Sequence, residues 1–127
     1  MKDILGSNTL VVIKNGRIIF TSDEKRLKPV ISCIISHEEE MEGAQVYDRV
    51  TGLAAARLLS YVRVSEIHTL TASIHAKNYL AEKDIVFTAE DIVAEILNDS
   101  RTDTCPMEKL AQDIVDSELY DRLIISA

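Results

Sequence analysis

The side chains with chemical potential gather at junctions between apolar runs. Asp48-Arg49 follows the extended-favouring pair Val46-Tyr47 and precedes the small-residue run Gly52-Leu53-Ala54-Ala55-Ala56. Asp48 has two readings. Its side-chain oxygen can cap the free N–H groups of the next helix, or its carboxylate can serve as a ligand contact or base in a pocket that perturbs it. The fork of Arg49 suits a bound anion, although Asp48 beside it weakens the field, and a solvated arginine is the plain alternative. Thr51 stays polar at the same junction. Gly52 inside a helix costs stability, which implies close approach by another backbone or by a ligand. A second candidate is Cys105-Pro106-Met107-Glu108. Pro106 suits a first helical position, and Glu108 can reach back to free N–H groups. The same geometry lowers the pKa of a thiol at a helix start and makes it nucleophilic, with Glu108 opposing the shift. On that reading Asp48, Cys105 and Glu108 form a catalytic set.

His37-Glu38-Glu39 fits the H-x-E pattern of zinc-dependent base deaminases. It falls at the predicted end of a helix, where the deaminase pattern needs a helix start. The partner P-C-x-x-C is absent, since Cys105 precedes Pro106 and no second cysteine follows. His68, in a predicted strand, and His75, in a predicted first helical turn, do not complete a tetrahedral set. Neither a metal nor another cofactor is expected.

These groups need a frame. Residues 1–8 read as a short helix or lead-in. Thr9–Ile13 and Arg17–Thr21 are β-branched runs joined through Asn15-Gly16, the strongest short hairpin signal. Leu27, Val30, Ile31, Ile34 and Ile35 mark the buried face of a helix starting near Lys28, with Pro29 in its first turn, and ending between His37 and Met41. A strand over 44–47 leads into a helix over about 50–62, where Val50, Leu53, Ala54, Leu58 and Tyr61 share a face. Glu66–Thr71 is extended, and Ser73 caps a helix over Ile74–Glu82. Ile85–Phe87 is a short strand. Thr88-Ala89-Glu90-Asp91 reads as a near capping box that opens a helix to Leu97. Asn98–Thr104 is a loop, Pro106 to about Ile114 a helix, and Glu118–Ile124 a last helix.

Alternation of strand and helix implies parallel strands joined by right-handed crossovers. The expected architecture is an α/β, three-layer α/β/α sandwich with a mixed five-stranded sheet, its antiparallel part supplied by the N-terminal hairpin. In such sheets ligands gather beyond the carboxyl ends of the parallel strands. That rim would carry Asp48, Arg49, Thr51, Gly52, Ser73 and Thr88, with Lys28 at a neighbouring helix start. The loop bearing Arg101 would fold over it. Lys28, Arg49, Thr51, Gly52, Ser73 and Arg101 are therefore the expected ligand contacts.

The totals narrow the partner classes. A chain of 127 residues suits one domain, 1–127, and buries roughly two-thirds of its unfolded surface without disulfide or metal support. The net charge of −7 argues against nucleic acid or an anionic membrane as principal partner, since both reward clustered Lys and Arg. No apolar run approaches membrane-spanning length, and the first residues lack a signal-peptide core. Cys33 sits in an apolar run and reads as a small core residue. With two cysteines and no export signal, a cytoplasmic location is expected.

Glu42-Gly43-Ala44, Asp48-Arg49-Val50-Thr51-Gly52-Leu53-Ala54-Ala55-Ala56 and Arg101-Thr102-Asp103-Thr104-Cys105-Pro106-Met107-Glu108 together resemble a small bacterial family of unknown function. That family is placed in the cytidine-deaminase-like superfamily and lacks the zinc ligands. The resemblance spans about residues 8–115 and implies the deaminase-like α/β/α sandwich. In that fold the helix starts near 27 and 50 would hold the metal. Here they carry Lys28 and Pro29, and Asp48, Arg49 and Thr51, so zinc deamination does not carry over. The expected function is a zinc-independent site that binds or transforms a small polar or nucleotide-like metabolite. The alternatives are a non-catalytic sensory or homo-oligomerising module and a zinc deaminase with unrecognised ligands.

Overall fold

The computed structural model describes residues 2–95 and 116–125. After a short helix α1 (Lys2–Leu5), strands β1 (Leu10–Lys14) and β2 (Arg17–Ser22) form the expected hairpin. Its turn needs two left-handed residues, and Asn15-Gly16 supplies them with φ of 52° and 76°. Helix α2 (Lys28–Met41) begins with Pro29 in its first turn and kinks at His37, whose φ and ψ are −137° and 29°. Strand β3 (Gln45–Thr51), helix α3 (Leu53–Tyr61), strand β4 (Glu66–Ser73), helix α4 (Ile74–Ala81) and strand β5 (Val86–Val93) follow. Helix α5 (Asp116–Tyr120) runs into a π-helical turn, Asp121–Ile125.

The sheet has the order β2-β1-β3-β4-β5. β1 is antiparallel to β2 and β3, whereas β3, β4 and β5 are mutually parallel. The mixed five-stranded α/β sheet is therefore as expected. Every crossover (β2 to β3, β3 to β4, β4 to β5) steps in the same direction across it. Right-handed connections then put α2, α3 and α4 on one face. The main core matches this arrangement: Val12, Val46 and Ile67 of the sheet meet Ile34 of α2, Leu58 and Leu59 of α3, Leu80 of α4 and Leu119 of α5. Leu5 and Val11 are buried outside that core, where α1 packs on β1 and β3. Among the described residues, only α1 covers the second face. Helices therefore pack on both sides of the mixed sheet, with α2, α3 and α4 on one and α1 on the other.

Three local expectations also fail. Asp48 does not cap α3; it lies inside β3, which runs four residues past the expected end at 47. Gly52 is not interior to a helix but is the N-cap of α3, with extended φ and ψ of −91° and −179°, so no close approach is needed to explain it. Thr88-Ala89-Glu90-Asp91 starts no helix. The segment pairs with β4 from Glu66↔Val86 to Ser73↔Val93, and eight residues of parallel ladder outweigh a local capping pattern. Ser73 does cap α4, its Oγ accepting from the Ala76 N–H at 3.1 Å. The loop expected at 98–104 and the helix expected at 106–114 lie outside the described residues. No helix among the described residues is long and apolar enough to cross a membrane.

Candidate functional site

Parallel strands β3 and β4 carry hydroxyls and a carboxylate on the face that meets the helices. Alternation puts Val46 and Asp48 of β3, and Ile67 and Thr69 of β4, on that side, and the register sets Asp48 directly beside Thr69. Asp48 is only 6% exposed, and Thr51, Thr69 and Ser73 are buried with it. The Thr51 hydroxyl donates to Asp48 Oδ2 at 2.8 Å, and the Arg49 and Val50 N–H groups also donate to the carboxyl. Thr69 Oγ1 donates to the Thr71 carbonyl at 3.0 Å. Burial pushes Asp48 up from 3.8 to about 7, despite the opposing pull of these three hydrogen bonds. A carboxyl poised there exists in both protonation states near neutrality, which is what general acid–base work requires.

The other expected site residues scatter. Arg49 is committed elsewhere: Nη2 donates to the Gly6 and Asn8 carbonyls at 2.9 and 2.8 Å, and Nε to Asn8 at 3.3 Å. It secures the segment after α1 and is turned to the face opposite Asp48 by strand alternation. Lys28 is exposed at the first position of α2. Since β2 runs parallel to β3, this helix start lies at the same rim as Gly52 and Ser73. Thr88 does not end a strand; it sits within β5, beside His68. Arg101, Cys105 and Glu108 lie outside the described residues. The structure thus brings together Asp48, Thr51 and, near the rim, Ser73.

Sequence reasoning missed Thr69 and Arg57. Thr69 had a legible signal, a polar residue in phase with Ile67 on the inward side of an apolar strand. Arg57 had none, because its type gives no reason to expect burial on α3; its guanidinium lies 6.0 Å from the Tyr79 ring centroid. A second polar chain was also missed, on the other face of the sheet. Gln45 Nε2 donates to Glu66 Oε2 at 2.9 Å, Glu66 Oε1 meets His68 Nε2 at 2.8 Å, and His68 Nδ1 meets Thr88 Oγ1 at 2.7 Å. The Tyr47 ring stacks on His68 at 5.1 Å. Cys33 is the small core residue expected: burial pushes its thiol up to about 12, away from nucleophilic chemistry. His37 pairs with Glu40 at 2.8 Å. Among the described residues, no group of three or more His, Cys, Asp or Glu side chains could hold a metal ion.

A family model described as "TM1506: Domain of unknown function (DUF1893)" matches residues 2–125. The chain belongs to the DUF1893 family. A solved member, a DUF1893 family protein (TM1506) from Thermotoga maritima, is similar in structure with a TM-score of 0.82 at 28% sequence identity, covering 94% of this chain and 80% of that one. No curated protein matches. DUF1893 membership agrees with the resemblance to a family of unknown function and brings no activity with it.

Proposed function

We propose that this DUF1893 chain binds a small polar, nucleotide-like metabolite at the carboxyl rim of β3 and β4, without zinc, and that Asp48 is the group that recognises or transforms it. The observation that carries the reading is the buried Asp48 carboxyl flanked by the Thr51 and Thr69 hydroxyls. A carboxyl surrounded by core is costly unless it has a task or full compensation. Asp48 lies in the middle of β3, and Thr51 continues from it toward the carboxyl rim where open α/β sheets put ligands. The order β2-β1-β3-β4-β5, with crossover helices starting at this rim, supports a cytidine-deaminase-like placement. The helix starts themselves carry Lys28-Pro29 and Gly52-Leu53, which include no zinc donor. Under this reading Lys28, Gly52 and Ser73 flank the ligand, and Arg101, Cys105 and Glu108 would complete the site.

A thermal-shift screen of a metabolite library tests the proposal, with Asp48→Asn and Cys105→Ser alongside the wild type. The expected result is a compound that raises the wild-type midpoint by several degrees and loses most of that effect on Asp48→Asn. A library that shifts both proteins equally overturns it. One observation favours a second reading, a non-catalytic sensory or homo-oligomerising module: the Asp48 carboxyl already accepts from its own strand through Arg49, Val50 and Thr51. On that reading ligands bind without turnover.

A further inference from the structure

A concavity lies at the opposite end of the molecule from Asp48. Helices α2 and α3 both finish there, just before β3 and β4 begin, and α5 closes the third side. The cleft is a wide, open depression of about 470 Å³, lined by Glu38, Glu39, Glu42, Tyr61, Arg63 and Tyr120, among others. Its size is that of a small-molecule site. Tyr61 and Tyr120 form one wall, their ring centroids 4.8 Å apart and their planes tilted by 35°. Tyr61 leaves 45% of its surface open, a large aromatic face kept in water.

The electrostatics are one-sided. Three carboxylates face one guanidinium. The ends of α2 and α3 present the negative ends of their dipoles, and neither helix has a basic residue in its last turn. Lys14 donates to the Glu42 carbonyl but does not line the cleft. Arg63 answers the field weakly: its Nη1 is 3.8 Å from Glu42 Oε2, with both side chains more than two-thirds exposed, a pair of little strength. Negative potential beside paired aromatic faces is the environment that selects an organic cation over a hydrated metal ion, because the rings take the apolar part of the ligand while attracting its charge.

We propose that this cleft binds a small organic cation of the alkylammonium class, seated on Tyr61 and Tyr120 with its charge toward Glu38, Glu39 and Glu42, and that Arg63 is the resident cation it displaces. The proposal is independent of the Asp48 site. Tetramethylammonium and putrescine, titrated against sodium chloride at matched ionic strength and followed by NMR of the tyrosine rings, test it. Saturable shifts at Tyr61 and Tyr120 are expected with both amines and not with sodium. Tyr61→Leu and Glu39→Gln, both at open positions, should each weaken binding on the order of tenfold. Arg63→Gly should tighten it several-fold, an opposite sign that loss of folding cannot imitate. Asp48→Asn should leave it unchanged. Shifts that sodium reproduces, that never saturate, or whose affinity is unchanged in Glu39→Gln and Tyr61→Leu, or weakened in Arg63→Gly, overturn the assignment.

Discussion

Asp48 and Glu66 are carboxylates on adjacent parallel strands, facing opposite sides of one sheet, and their environments drive them apart. Asp48 faces the helices, where burial raises it to about 7. Glu66 faces the side that α1 alone covers among the described residues, and there hydrogen bonds from His68 and Gln45 hold it below its ordinary value. Neither effect comes from residue type. Each follows from which side of a two-residue period the side chain occupies, and from what the crossovers laid over that side. Titratable groups pushed in opposite directions are the raw material of acid–base sites. Here the raised group is the one at the candidate site.

Asp48→Asn tests the contrast most severely. The folded value of about 7 lies above the ordinary 3.8, so the folded state favours the protonated acid. Its stabilising contribution is fully present below about pH 4 and lost as pH rises through about 7. Three pKa units at about 1.4 kcal/mol each set a ceiling of about 4 kcal/mol. Urea unfolding midpoints should therefore fall between pH 4 and pH 8 in the wild type, and the Asn variant should flatten that decline. An equally steep decline in the variant would break the comparison. Thr51→Val comes next. It removes a donor from a buried acceptor, which costs about 1–2 kcal/mol, and more at pH 8 than at pH 5 because the lost bond favours the ionised form. NMR titration should show Asp48 rising further. Glu66→Gln should have the smallest effect. The lowered value of Glu66 gives stability that is present above its ordinary pKa and lost as pH falls through the folded one. The variant should differ from wild type near pH 6 and converge with it near pH 3. Added salt should shrink the difference, since the His68–Glu66 pair is partly open to solvent.

Local rules read correctly wherever the backbone itself was the constraint. Asn15-Gly16 had to supply positive φ, Pro29 had to sit in a first turn, and Ser73 had to cap, and all three do so. They misread segments whose state depends on a distant partner. Thr88 to Asp91 carries the letters of a helix start, yet the open edge of β4 recruits it as a strand. Asp48 was legible as a residue of interest, but the cap reading assumed that β3 stopped at Tyr47. Continued pairing with β4 out to Thr51↔Ala72 turned a surface cap into a buried acid. The cleft by Tyr61 and Tyr120 was invisible for a plainer reason: its walls come from helices nearly sixty residues apart in the chain, and no spacing rule links them.

The grip of Arg49 on the Gly6 and Asn8 carbonyls has a practical side for anyone handling the protein. A single planar fork staples the leading residues to the sheet. Proteolytic trimming beyond Asn8 would therefore strip the fork of its acceptors and loosen the strand that also bears Asp48.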